Sequence, residues 1–266
     1  MKRNCWIIPL ATLCLCSLQC QSIGPSGGGP DPWRQHYAGA SGSASPHAKA
    51  GSNQHSSAQH SSSQGGSAHG GKVSAAALLR EVHLKVDMVA RGTYGRRVVR
   101  PMTPRYITIH STENMSAGAA LHALALKRGS LRSGKRPGGN RIGFLIWHFT
   151  VDDGVAIQHM PLSEQGEHAD FDGPGNRLSI GIEMCENRGN NWPATLDRSA
   201  KLVAYLMFRN HIPLANVVPH YHWPRHGKHP PNKNCPHLLL DYGRPGAKWQ
   251  TFLARVNFHY HRLTTA

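Results

Sequence analysis

Apolar and polar residues along the C-terminal part of the chain alternate with two different periods. Residues 105–111 (RYITIHS) place Tyr106, Thr108 and His110 on one side and Ile107 and Ile109 on the other, the period of a strand. Residues 144–151 (FLIWHFTV) are almost continuously apolar, as a central strand would be, and Asp152, Asp153 and Gly154 supply a hairpin turn into residues 155–159. Residues 178–185 (LSIGIEMC) form a further strand, with Ile180, Ile182 and Met184 on one face and Gly181, Glu183 and Cys185 on the other. The helical period appears three times. A helix is predicted over residues 116–127, after Asn114. A second spans residues 198–210, with Leu202, Val203, Leu206 and Met207 on one face, and a third spans residues 249–261, with Phe252, Leu253 and Val256. Strands interleaved with helices predict an α/β fold, a central mixed β-sheet flanked by helices in a single domain.

The patterning fails upstream of residue 73, where composition takes over. Of the 266 residues, 33 of the 52 in segment 21–72 are Ser, Gly, His or Gln, too few of them apolar to offset the entropy of ordering. That stretch reads as a tether, and its five histidines as solvated linker residues. Before it, residues 1–20 combine a short basic start with an apolar run shorter than the roughly 20 residues of a membrane span, which predicts an export signal. Cys20 is a candidate acylation site, so the expected location is the bacterial cell envelope, lipid-anchored through Cys20, or the exterior. Four of the six cysteines lie in those 20 residues, which leaves Cys185 and Cys235 and excludes a disulfide-stapled fold. The domain proper is expected over residues 73–266.

Charge adds one element. Lys and Arg number 30 against 14 Asp and Glu, a net +16. Residues 73–141 hold 13 basic and 3 acidic residues, so the positive surface is expected there. Such a surface suits carboxylate- or phosphate-bearing envelope polymers. Nucleic acid is not expected as a partner, because no recognition motif accompanies the charge.

The chemistry concentrates in residues 217–237, VVPHYHWPRHGKHPPNKNCPH. A catalytic zinc takes three protein ligands and leaves a fourth position to water. His220 and Cys235 offer two, His110 at a strand end a third, and His222 competes with His220. His148, His159, His226, His229 and His237 read as structural groups or as groups that support the ligands from behind, and His122 as a packing or surface residue.

Four segments, RYITIHSTEN, WHFTVDDGVAIQHMP, NRLSIGIEMCEN and VVPHYHW with KNCP, occur in this order across residues 104–256. Together they resemble the zinc-dependent N-acetylmuramoyl-L-alanine amidases, the family of the phage lysozyme-type and AmpD-type amidases and the peptidoglycan recognition proteins. The resemblance implies that family's fold and one Zn2+ held by His110, His220 and Cys235. It further implies Glu183 as general base, Lys233 beside the substrate carbonyl, and His168 and Asn176 as substrate contacts. The implied reaction is hydrolysis of the amide between N-acetylmuramic acid and L-alanine in peptidoglycan or muropeptides, by a monomer. Trp147 stands where some branches carry a functional Tyr, which favours the route through Glu183, and Glu167 replaces a Trp before His168. The alternative is a muropeptide-binding module that does not cut, against which the complete ligand set argues.

Overall fold

The computed structural model describes residues 71–134 and 142–264. The predicted export signal, Cys20 and all but the last two residues of the predicted tether lie outside them. Val73 bridges to Leu263 in parallel, so the two ends of the described fold are stitched together.

In chain order the elements are α1 (Ala75–Val82), β1 (Leu84–Val86), β2 (Tyr106–Ser111), α2 (Ala119–Lys127), β3 (Phe149–Val151), β4 (Ala156–Gln158), α3 (Pro174–Leu178), β5 (Ser179–Met184), α4 (Trp192–Asn210), β6 (Val217–Pro219) and α5 (Ala247–Arg262). The strands form a six-stranded sheet in the order β1-β4-β3-β5-β2-β6. All neighbours are parallel except β3 and β4, the predicted hairpin, where Val151 pairs with Ala156. Its turn is held by Asp152, whose Oδ1 accepts from the Gly154 and Val155 amides, each at 2.9 Å. The expected mixed sheet flanked by helices is therefore the observed fold.

One face of the sheet makes the main core. Ile107, Ile109, Ile180, Ile182 and Met184 point into it, against Leu202, Val203 and Leu206 of α4 and Trp249, Phe252 and Val256 of α5. Each such aliphatic side chain contributes roughly 1.5–3 kcal/mol by leaving water. On the other face α2 packs over β3 and β4, with Ala119 and Ala123 against Ile157 and Cys185. Along β2 and β5 this second face carries Thr108, His110, Gly181 and Glu183, the polar members of the two alternating patterns.

Three element boundaries differ by three residues or more from the sequence reading. The apolar run 144–151 yields a strand only at Phe149–Val151. Its earlier residues are extended but bond to separate partners: Leu145 to Leu131, Ile146 reciprocally to Glu167, and His148 to Gly181. α2 starts at Ala119 rather than 116. Asn114 Oδ1 accepts from both the amide and the hydroxyl of Ser116, which closes a local turn, and Asp152 Oδ2 accepts from the Ala119 amide instead. α4 starts at Trp192, six residues early, because Asn191 caps it, accepting from the Ala194 amide, and Pro193 suits its first turn.

Candidate metal centre and active site

His110 is the penultimate residue of β2, in register with Glu183 of β5. His220 follows directly on β6, whose Pro219 pairs with Ile109. Two neighbouring parallel strands thus deliver the two imidazoles to the same end of the sheet, with ring centroids 4.5 Å apart. Cys235 arrives on the loop after β6. That loop is tied back by the Tyr221 amide donating to the Cys235 carbonyl at 3.0 Å, and the Ser111 amide donates to Cys235 Sγ at 3.4 Å. One ligand atom from each of His110, His220 and Cys235 lies within 4.8 Å of the others, and all three residues are buried. His222 is exposed and turned away, its ring 4.5 Å from that of Trp223.

The outward ring nitrogens are engaged. His110 Nε2 is 3.0 Å from His168 Nδ1, and His220 Nε2 donates to the Ala169 carbonyl at 3.1 Å. This leaves the Nδ1 atoms for the cluster, and His220 Nδ1 is buried with no hydrogen-bond partner. A buried orphan acceptor is costly unless something occupies it. A tetrahedral zinc uses this donor set of two imidazoles and a thiolate, and second-sphere bonds on the far nitrogens are the usual accompaniment. The residues therefore fit such an ion. Burial holds His220 neutral, its pKa down to about 3, and lowers His110 well below its usual range. Neutral imidazole is the form that binds a metal. Burial pushes the Cys235 thiol up to about 12, so ion binding would have to expel its proton.

Glu183 stands beside this cluster, with Oε1 3.8 Å from His110 Nδ1 and Oε2 buried without a hydrogen-bond partner. Burial raises its pKa to about 8; Lys233 opposes that rise, while Glu113 and Glu186 add to it. Lys233 Nζ lies 3.2 Å from Glu113, in the same rim.

His168 and Asn176 are also brought to the site, but beneath it. The His168 ring is buried between His110 and the Ser179 carbonyl, and lies against the Gly181 backbone. A Cβ on Gly181 would meet that ring at 2.9 Å, so only glycine admits it there. Asn176 is 1% exposed; its Oδ1 accepts from the His168 and Ala169 amides and its Nδ2 donates to the Phe171 carbonyl. Its hydrogen bonds shape the loop that carries His168. Trp147 is buried and donates to Thr150 Oγ1 at 2.7 Å, so its indole is part of the packing. His148 and His159 are buried and hydrogen-bonded, His226 and His229 are exposed, and His122 is buried with its Nδ1 on the Gly118 carbonyl.

The sequence reading missed Ser111, Glu113 and Glu186, and took His237 only as a structural group or one supporting the ligands. Ser111 Oγ is 3.3 Å from His237 Nδ1, which is 3.6 Å from Glu186 Oε1, and burial raises Glu186 to about 7. The available signals were adjacency to His110, to Glu183 and to Cys235.

Comparison with known proteins gives the family. Residues 100–238 match the family described as N-acetylmuramoyl-L-alanine amidase. Two relatives from Bacillus subtilis (strain 168) are the N-acetylmuramoyl-L-alanine amidases XlyA and CwlH. XlyA is 41% identical over 158 residues, 58% of this chain and 45% of its own, and CwlH is 39% identical over 160 residues, 59% and 54%. The chain thus spans about half the length of the curated relatives it matches. Among solved structures, the catalytic domain of XlyA superposes with a TM-score of 0.52 at 40% identity, covering 65% of this chain and 98% of that one. With a family match over more than half its length and the same kind of domain beneath it, the chain belongs to the N-acetylmuramoyl-L-alanine amidase family.

Proposed function

We propose that this protein hydrolyses the amide bond between N-acetylmuramic acid and L-alanine in peptidoglycan or its fragments, with Zn2+ held by His110, His220 and Cys235. The observation that carries this is the convergence of two imidazoles and a thiol, one imidazole nitrogen buried without a partner, beside a carboxylate with its own unpartnered oxygen. When bound, zinc supplies a Lewis acid that polarises the carbonyl and makes water acidic enough to deprotonate near neutral pH. Glu183 takes the proton from the attacking water as the new C–O bond forms. It returns that proton to the leaving nitrogen as the C–N bond breaks, the double duty open to a carboxylate whose pKa lies near the working pH. Lys233 presents a positive charge to the carbonyl oxygen as negative charge develops there; groups of this kind contribute about 3 kcal/mol. His168 acts as a positioning residue that fixes the tautomer and tilt of His110.

Under this reading residues 1–20 export the chain, Cys20 anchors it to lipid, residues 21–72 tether a monomeric catalytic domain, and the working location is the cell envelope. The test incubates the full chain, zinc-loaded, with a defined muropeptide and follows free stem peptide by mass spectrometry. Release of peptide with a free L-alanine amine is expected. Binding without release would replace the enzyme by a recognition module, and neither would refute both.

A further inference from the structure

Tyr242 has no part in the chemistry above, yet it is the most exposed of the large hydrophobic side chains among the described residues. Its backbone is in the left-handed region, at φ 50°, followed by Gly243 at φ 78°. A bulky residue there is unusual, and such outliers persist where the surroundings impose them. Here they do. The Asp241 amide donates to the Arg244 carbonyl at 2.8 Å and the Arg244 amide to the Asp241 carbonyl at 3.0 Å, which closes a two-residue turn. Asp241 Oδ2 also accepts from the Lys248 amide at 3.0 Å, which ties the turn to the start of α5. Buried Leu239 and Leu240 on one side and Trp249 on the other anchor its base. The phenol is thus held out on a stiff mount. The mount sits at the rim of the active site, because the Cα of Gly243 faces Asn234, the residue between Lys233 and Cys235, close enough that a Cβ would lie 3.8 Å from its amide oxygen.

We propose that Tyr242 is a saccharide-contact residue, stacking on a sugar ring of the substrate's glycan strand outside the bond being cleaved, with the exposed Arg244 beside it. This rests on the amidase reading, which requires a substrate with two arms, glycan and peptide, leaving the reacting centre. The turn favours the glycan arm. The amides and carbonyls of Asp241 and Arg244 are bonded to each other, so this edge cannot extend a peptide backbone by strand addition. What it offers is an aromatic face, with a hydroxyl at its end, suited to the apolar C–H face and hydroxyl rim of a pyranose. Tyr combines a large apolar area with a hydrogen-bonding hydroxyl at small entropic cost, which is why protein recognition surfaces are enriched in it.

The experiment compares wild type with Tyr242→Ala, Tyr242→Gly and Tyr242→Phe on two soluble substrates that carry the same stem peptide. One has a single N-acetylmuramoyl residue and the other a chain of several disaccharides. The ratio of kcat/KM on the chain to that on the single residue is expected to fall at least about five-fold in Tyr242→Ala and Tyr242→Gly, the scale of one lost aromatic contact, and to hold within about two-fold in Tyr242→Phe. Tyr242→Gly should also melt at a higher temperature, because glycine relieves the left-handed strain, so lost discrimination with gained stability cannot be misfolding. An unchanged ratio, or an equal loss on both substrates, overturns the proposal. Titration with a peptide-free N-acetylated oligosaccharide decides the matter separately. About five-fold weaker binding by Tyr242→Ala supports the contact even if wild type releases no peptide, a result that would sink only the amidase reading, whereas equal binding overturns the contact.

Discussion

The sharpest quantitative expectation concerns His148, which the folded protein holds neutral at the back of the site. The residue is wholly buried. Its Nδ1 accepts from the Gly181 amide at 3.0 Å and its Nε2 donates to the Glu164 carbonyl at 3.0 Å. A second ring proton would have to sit on Nδ1, facing an N–H that already points at it. Burial accordingly lowers the pKa from 6.5 to about 4. Between those two values the unfolded chain binds a proton that the folded chain does not, so stability rises with pH across that window and is lost as pH falls through it. At about 1.4 kcal/mol per unit, the full window corresponds to about 3 kcal/mol, and the part crossed by pH 5 to about 2 kcal/mol. The perturbation is His148→Asn, whose Oδ1 can keep the Gly181 bond but cannot titrate. Urea unfolding of wild type and variant at pH 7.5 and 5.0, at one zinc concentration, isolates the His148 contribution from that of groups remote from it; His159 and His168, whose rings feel the His148 charge, are the groups coupled to it. The variant is expected to be less stable at pH 7.5 and to lose about 2 kcal/mol less than wild type on going to pH 5.0. Equal losses in the two proteins would refute the reasoning.

Other expectations follow from the same geometry. Cys235→Ser should lose bound zinc and peptide release together, as measured by metal content and mass spectrometry, whereas Glu183→Gln should keep its zinc and lose at least about 100-fold in turnover; a Glu183→Gln enzyme of normal rate would remove it as the base. His168→Ala should weaken zinc binding about 10–100-fold in competition with a chromophoric chelator, and His168→Asn, which restores an acceptor towards His110 Nε2, should recover part of the loss. Leu206→Ala, at the contact of α4 with the sheet, should cost about 2–5 kcal/mol in urea unfolding without changing metal affinity, because its side chain lies in the core on the far face.

The periodicities at residues 105–111 and 178–185 were enough to place His110 and Glu183 on the polar sides of two strands, since a strand's faces are set by alternation alone. The hairpin at Asp152 to Gly154 and the apolar stripes of α4 and α5 were legible for similarly local reasons. The run 144–151 misled, because continuous apolarity records burial and not which partner the backbone bonds; here three successive stretches bond to three different segments. Asn191 was a readable cap that went unread. The residues themselves offered His110, His220 and Cys235 as candidate ligands, and the family resemblance gave Lys233 and Glu183 their roles beside them. Composition and spacing alone had left His222 in competition with His220.

By itself, then, the sequence determined the sheet-and-helix layering, the faces on which His110 and Glu183 lie, and the inventory of donors near the C-terminal end of β6. Only the tertiary structure decided which donors meet. The parallel register of β2 with both β5 and β6 brings His110, Glu183 and His220 to one end of the sheet, and a loop bond from Tyr221 carries Cys235 in. It also buried the His168 ring against His110, set Asn176 under the loop that carries His168, and held Tyr242 out in solvent on a turn whose Gly243 faces Asn234. These are long-range facts. They depend on which strand neighbours which and on where a buried polar group finds its partner, and neither leaves a mark in the spacing of residues along one stretch of chain.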